Sequence, residues 1–336
     1  MNSTIKSFIS KVNFDLGRNP RIPRSRKADY HRFIPEHYEA VFILSADFEL
    51  AWAWRYAKNC NNPKEMAARS AEVARDNIPR ILALCEKHNI PITWATVGHL
   101  LLERCNRIGG QAHFDLMRLP YHENENWRFD EGDWFDDDPC TNWQTSPAWY
   151  SPDLIRMILA SKANHEIACH TFSHIDCRDN ICPFAIFQGE ISACKALARE
   201  YQIELKSFVH PGHSIGNLQA LKDLGFSSFR TNYANLLGYP SRHSNGLWEF
   251  GATAELVHRK EWSLDYHINR YTKIVERAMK YHRLCYYWFH PSMEPTFVDS
   301  VMPAIFEYAD SKRKSIWVTT MKDYTSWLES VRDEKS

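Results

Sequence analysis

The strongest constraint on this chain is a regular alternation of short apolar, β-rich runs with longer helical periods. VFILSA (41–46), PITWATV (91–97), EIAC (166–169), KSFV (206–209), FSSFR (226–230), LWEF (247–250), CYYWF (285–289) and SIWVT (315–319) read as buried strands. Helical patterns lie between them over about 66–88, 151–162, 185–201, 217–224, 268–282 and 297–309, with a last helix to about Val331. Asp76 reads as a cap just ahead of Pro79. Ser151 caps the second helix, with Pro152 at its first helical position. Repeated strand–helix units of this size predict an α/β protein with a parallel sheet. Seven or so units without a glycine-rich dinucleotide turn favour a barrel over a doubly wound sheet. No internal repeat or linker interrupts them, so residues 39–336 are expected to form a single barrel domain after a basic extension over 1–38.

Charge sharpens this picture. The chain carries 41 Lys+Arg against 41 Asp+Glu, which excludes a bulk polybasic nucleic-acid binder. The zero is a cancellation. Residues 5–32 are basic, through Lys6, Lys11, Arg18, Arg21, Arg24, Arg26, Lys27 and Arg32, and Pro20 and Pro23 break any helix there. This arm reads as a solvated or subunit-contacting extension, compatible with a homo-oligomer. ENENWRFDEGDWFDDD (123–138) is its acidic counterpart, interleaved with Trp127, Phe129, Trp134 and Phe135. Those aromatics predict that the acidic loop, at about 120–150, folds onto the body as functional lids do. No stretch approaches the roughly 20 apolar residues of a membrane span, and no apolar core of the secretory kind opens the sequence. The cytoplasm is the expected compartment. Nine Cys, scattered without a CxxC pair, fit it and indicate neither a disulfide framework nor a cysteine zinc cluster.

In βα barrels the chemistry sits at the C-terminal ends of the strands. Asp47 and Glu49 follow VFILSA; His170 follows EIAC, with His174 four residues on; His210 follows SFV; Glu249 lies in LWEF; His290 follows CYYWF. Two imidazoles four apart share one face of a helical turn and can grip a single ion. With one carboxylate they leave a coordination position open, the layout of a catalytic zinc. Asp47 and Glu49, two apart on a strand, face the same way, so one can serve the metal and the other as general base. His290, held extended by Pro291, suits a general acid.

In order, FILSADFE, HEIACHTFSH, SFVHPGHSIGN, LWEF and YYWFHPS resemble the five motifs of the polysaccharide deacetylase (NodB-homology) family over about residues 41–320. The resemblance is to the branch that includes peptidoglycan-deacetylase-like and allantoinase-like proteins. It implies a distorted (β/α)7 barrel that hydrolyses acyl groups with one divalent metal, usually Zn2+. By position it implies Asp47 as general base, Glu49 with His170 and His174 on the metal, and His290 as general acid. The family's metal-binding Asp is Glu49 here, which leaves Asp47 as an alternative ligand. HPGHSIG lacks the Arg that orients the base in the family. Either the base is held differently, or a neighbour such as Arg55 or Arg230 substitutes.

Aromatic faces stack on sugar rings, and Trp52, Trp54, Trp127, Trp134, Trp143, Trp149 and Trp248 fall in or near the loops of the expected mouth. About half are expected to be core. Trp52, His210, Trp248 and Glu249 are the expected substrate contacts. A lid argues for a partly covered pocket and a small or carrier-linked amino sugar, deacylated during cell-surface polysaccharide assembly. The competing expectations are an allantoinase-like amidohydrolase acting on a ureide or cyclic imide, and a non-catalytic carbohydrate-binding barrel.

Overall fold

The computed structural model describes residues 20–23, 27–58, 60–231 and 236–333. Most of the basic arm therefore lies outside the described residues, including Lys6, Lys11, Arg18, Arg24 and Arg26.

The alternation becomes β1 (Ala40–Phe48), α1 (Pro63–His88), β2 (Thr93–Thr96), then a long insertion holding a two-residue hairpin of β3 (His122–Glu123) and β4 (Arg128–Phe129). It continues through α2 (Pro152–Ala160), β5 (Glu166–Cys169), α3 (Phe184–Glu200), β6 (Ser207–Val209), α4 (Leu218–Asp223), β7 (Ser228–Thr231), β8 (Ser241–Arg242), β9 (Trp248–Gly251) and β10 (Ala254–Glu255). The chain ends with α5 (Leu264–Tyr281), β11 (Leu284–Phe289), α6 (Met302–Ser311), β12 (Ile316–Thr319) and α7 (Met321–Asp333). Asp76 is not a cap. It lies inside α1, which runs unbroken through Pro79 and is capped by Asn62, whose Oδ1 accepts the Glu65 N–H at 3.3 Å.

One ten-stranded sheet carries the fold, in the order β10-β11-β1-β2-β5-β6-β7-β9-β8, with β12 also paired to β1. Every pairing is parallel except that of β8 with β9. β1 sits at the centre. β11 flanks one side of it, while β12 pairs with its first half and β2 with its second.

The sheet is curled. In a flat sheet, strand spacing would put β7 about 19 Å from β1, four strand steps away. Yet Arg230 of β7 reaches Asp47 of β1 at 2.6 and 2.7 Å. Period-2 alternation sorts the two faces. Phe42, Leu44, Ala46 and Phe48 of β1 pack outward with Ala71, Ile78, Ile81 and Cys85 of α1. Val41 and Ile43 turn inward with Trp248, Phe250, Leu284, Tyr286 and Trp288. At the base, Thr93 Oγ1 and the Lys322 N–H donate to Glu166 Oε2, tying the start of α7 to the sheet.

Among the described residues no helix is long and apolar enough to cross a membrane, and all nine cysteines are free thiols.

Candidate active site

The inward face of β1 ends on Ser45 and Asp47, and Glu49 follows just past the strand. Glu49 Oε1 lies 2.9 Å from His170 Nε2 and 3.0 Å from His174 Nε2. All three residues are buried. The two imidazoles do not share a helical turn, as their spacing suggested. Residues 170–174 are irregular, with Thr171 and His174 in the left-handed region at φ 58° and 59°. Side-chain bonds hold that shape instead of a helix ladder. Glu190 accepts the Ser173 N–H and Oγ–H at 2.8 and 2.7 Å, and Thr171 Oγ1 accepts the Ile175 N–H.

The donor set fits a metal ion. His170 Nδ1 donates to the Val209 carbonyl at 2.7 Å, which turns Nε2 toward the site, as in metal-bound histidines. That nitrogen faces a Glu49 carboxylate oxygen at 2.9 Å, so the two can share one cation. Glu49 Oε2 is buried without a hydrogen-bond partner. Burial alone would raise the Glu49 pKa, but the charges of His174 and His290 hold it well below the usual carboxylate range. Burial keeps His174 below its ordinary value.

Asp47 is held by Arg230 in a bidentate grip, Nη1 to Oδ1 at 2.7 Å and Nη2 to Oδ2 at 2.6 Å, and Nη1 also reaches Ser45 Oγ at 2.9 Å. Burial pushes the Asp47 pKa up, and the guanidinium outweighs it and pulls it down. Of the two candidates for the orienting arginine, Arg230 is therefore the one in place. Arg55 is buried among Trp52, Tyr56 and Trp134 and donates to the carbonyls of Trp52 and Ser173. His290, just past β11, brings Nε2 to 3.5 Å from Glu49 Oε2 and Nδ1 to 3.9 Å from Glu255 Oε1. Burial would lower its pKa, but Glu49, Glu255 and Asp47 raise it to about 9.

These groups open on a cavity of about 250 Å³ lined by Asp47, Glu49, His174 and His290 together with Trp54, Asn126, Trp127, Gly212, His213 and Trp288. No family model matches the sequence, and no curated protein matches it. Solved structures do match in fold. Two are proteins assigned as polysaccharide deacetylases. The one from Mycobacterium smegmatis has a TM-score of 0.59 at 14% identity, covering 94% of this chain and 96% of that one. The one from Pseudomonas aeruginosa PAO1 has a TM-score of 0.59 at 12% identity, covering 90% and 97%. A third is PuuE allantoinase, with a TM-score of 0.57 at 13% identity, covering 92% and 97%. The chain has the polysaccharide-deacetylase fold.

Within this deacetylase fold the four expected substrate contacts lie elsewhere. Trp52 is buried, tilted against His99 and donating Nε1–H to the Trp149 carbonyl. Trp54, two residues on, takes the cavity wall. LWEF proves to be the start of a strand and not its end. Trp248 therefore points inward at the base of the curled sheet, where Nε1–H donates to Glu329 of α7, and Glu249 points outward to His243 at 2.7 Å. His210 is buried, with Nε2 at 3.0 Å from the Gly216 carbonyl, fixing the HPGHSIGN loop. His213, three residues later, reaches the cavity, and burial lowers its pKa to about 4, so it is neutral there.

The acidic loop does fold onto the body. Trp127, Phe129, Trp134 and Phe135 are buried, and Glu123, Asp130, Glu131, Asp133, Asp136 and Asp137 face a separate surface groove with Arg55, Lys58, Lys64 and Arg128. Trp127 is pinned by His122 at 3.1 Å and presses on Gly212, whose φ is 52°. A Cβ there would sit 2.1 Å from Trp127 Cζ3. Gly212→Ala is expected to cost about 1–2 kcal/mol for the left-handed backbone alone. It should also displace Trp127 and raise KM more than it lowers kcat, which urea denaturation and steady-state kinetics would check.

Sequence reasoning missed Glu255, Asn126 and Trp288 as neighbours of the site. Glu255 ends a two-residue strand with no periodic signal. Trp288 stood in view, and its inward register on β11 could have been read from the alternation C-Y-Y-W-F-H.

Proposed function

We propose that this chain is a metal-dependent hydrolase of the polysaccharide-deacetylase kind, removing an N-acyl group, acetyl by preference, from an amino sugar. One observation carries the reading. Glu49, His170 and His174 converge beside an arginine-clamped Asp47 and a histidine, His290, under one small aromatic cavity. The curled sheet is taken as a distorted (β/α)7 barrel. Glu49, His170 and His174 would hold one divalent ion, Zn2+ by the borderline softness of its donors. Such an ion, when bound, polarises the acyl carbonyl and makes water nucleophilic near neutral pH.

The chain's own groups supply the proton movements. Asp47 accepts the proton of the attacking water, and Arg230 keeps its carboxylate ionised and aimed. His290, protonated below about pH 9, gives its proton to the departing sugar nitrogen. Trp54, Trp127 and Trp288 offer flat apolar faces for a pyranose ring. A cavity of about 250 Å³ suits one or two sugar units, free or carrier-linked, more than an embedded polymer. A cytoplasmic step in cell-surface polysaccharide assembly is the setting we infer.

The PuuE allantoinase likeness favours a second reading, hydrolysis of a ureide or cyclic imide. A panel of N-acetylated amino sugars, allantoin and hydantoins, assayed for acetate release and ring opening on protein of known metal content, separates the two. Acetate release supports the first reading; ring opening alone overturns it.

The alkaline limb of the kcat/KM profile should report His290. Its pKa is held above the ordinary value by Glu49, Glu255 and Asp47, so the acid is competent at low and neutral pH and lost on the alkaline side. Its contribution to stability has the same sign, full below about pH 6.5 and lost as pH rises through about 9. Glu255→Gln removes one of the charges that raise it, so the limb should move to lower pH. An unmoved limb would assign it to another group.

A further inference from the structure

We propose that the long insertion between β2 and α2 is built around a second, structural metal site that is separate from the catalytic cluster. Its ligands are His99, Cys105, His113 and Asp138. His99 Nε2 and His113 Nε2 lie 2.9 and 2.8 Å from the same oxygen, Asp138 Oδ2, and 3.1 Å from each other. Cys105 Sγ lies 3.3 Å from that oxygen. All four donor atoms fall within 4.8 Å of one another. A tetrahedral ion with nitrogen and oxygen bonds of 2.0–2.1 Å sets its ligands about 3.3 Å apart, close to the spacings observed.

Hydrogen bonding alone explains these contacts poorly. His99 Nδ1 donates to the Trp149 carbonyl at 3.1 Å, so the neutral ring turns its Nε2 lone pair on a carboxylate oxygen. His99 and the Asp138 side chain are both fully buried. The other carboxylate oxygen is already occupied. Asp138 Oδ1 accepts from Tyr150 OH at 2.7 Å and from the Cys140 N–H at 2.9 Å. The orientation of both residues is thus fixed by outer partners, as it is for metal ligands, and the four donor atoms converge on one place. Two neutral imidazoles, one carboxylate and one thiolate balance a divalent charge, which a buried site requires. Four protein ligands of mixed N, O and S type match structural Zn2+.

The site has something to hold. Between Leu101 and Pro152 the only strands among the described residues are the two-residue β3 and β4, yet Asn126 and Trp127 of this segment wall the catalytic cavity. A segment so long and so poor in regular structure needs another source of order. An ion joining His99 at its root to Cys105, His113 and Asp138 along its length supplies that order, because metal affinity is folding free energy here.

Tag-free protein purified without chelator should hold two equivalents of zinc by elemental analysis, and Cys105→Ser should lose one of them. Cobalt exchange tells the two sites apart, because the catalytic donors include no sulfur. Cobalt-loaded wild type, and equally His174→Ala, should show thiolate-to-cobalt charge-transfer absorption that Cys105→Ser lacks. If Cys105→Ser does not fold, the wild-type cobalt spectrum decides alone. Absence of the thiolate band in cobalt-loaded wild type, or zinc content unchanged in folded Cys105→Ser, overturns the proposal and leaves only a hydrogen-bonded cluster. The catalytic reading survives either result, since His174→Ala tests it separately.

Discussion

His174→Ala should cost the protein its catalytic metal and its hydrolysis together. The remaining Glu49 and His170 cannot close a chelate around the ion. Two ligands, of which Val209 orients only His170, leave it largely open to water. Activity should fall by at least about 10³-fold, equivalent to about 4 kcal/mol of transition-state stabilisation. The fold should survive, because the 170–174 loop is held mainly by Glu190 and Thr171 and not by the His174 ring. A near-ultraviolet circular dichroism spectrum like that of the wild type would confirm this. Added zinc should not restore rates at stoichiometric concentration. A His174→Ala protein that lacks the ion at Glu49 and His170 and still hydrolyses its substrate would remove that metal from the mechanism.

The parts of this site legible in the sequence are those where an apolar strand stops at a polar residue. Asp47, His170 and His290 each follow a run of buried residues, and period 2 alone sends them inward. HTFSH pointed to two imidazoles that the structure brings together at Glu49, but by the wrong geometry. Spacing four suggests a helical turn, whereas the two left-handed residues Thr171 and His174 deliver the imidazoles to Glu49. LWEF shows where strand logic fails. A strand's start and end look alike in composition, so Trp248 and Glu249 were placed at the mouth when they stand at the base. Arg230 could only be named as one of two candidates, because its reach to Asp47 depends on how tightly the sheet curls across β2, β5 and β6. The acidic loop was readable because its aromatics and acids alternate. Which aromatics wall the cavity depended on contacts such as that of Trp127 with Gly212, which no periodicity encodes.

Arg230→Leu is expected to destabilise the protein by about 3–5 kcal/mol, because it leaves the Asp47 carboxylate buried without its counter-charge and close to Glu49. Urea denaturation would measure it. The pH dependence distinguishes this from a packing defect. In the wild type Arg230 holds the Asp47 pKa down, so the pair stabilises above the ordinary carboxylate value and loses that contribution as pH falls through the depressed one. In Arg230→Leu burial loses its main opponent, with only His170 and His290 left against it, so the Asp47 pKa should rise and the deficit should shrink as pH falls and the carboxyl takes up a proton. Arg230→Lys keeps the charge but not the two parallel N–H donors. It should recover stability better than it recovers turnover, since a point charge neutralises Asp47 without aiming it. The double variant Asp47→Asn with Arg230→Leu should regain much of the lost stability while staying inactive, as buried pairs replaced on both sides often do. That outcome would mean that the pair is kept for the reaction at no net gain to the fold. Equal losses of stability in the single and double variants, flat with pH, would instead assign Arg230 a packing role against Trp288, 4.9 Å from its guanidinium carbon.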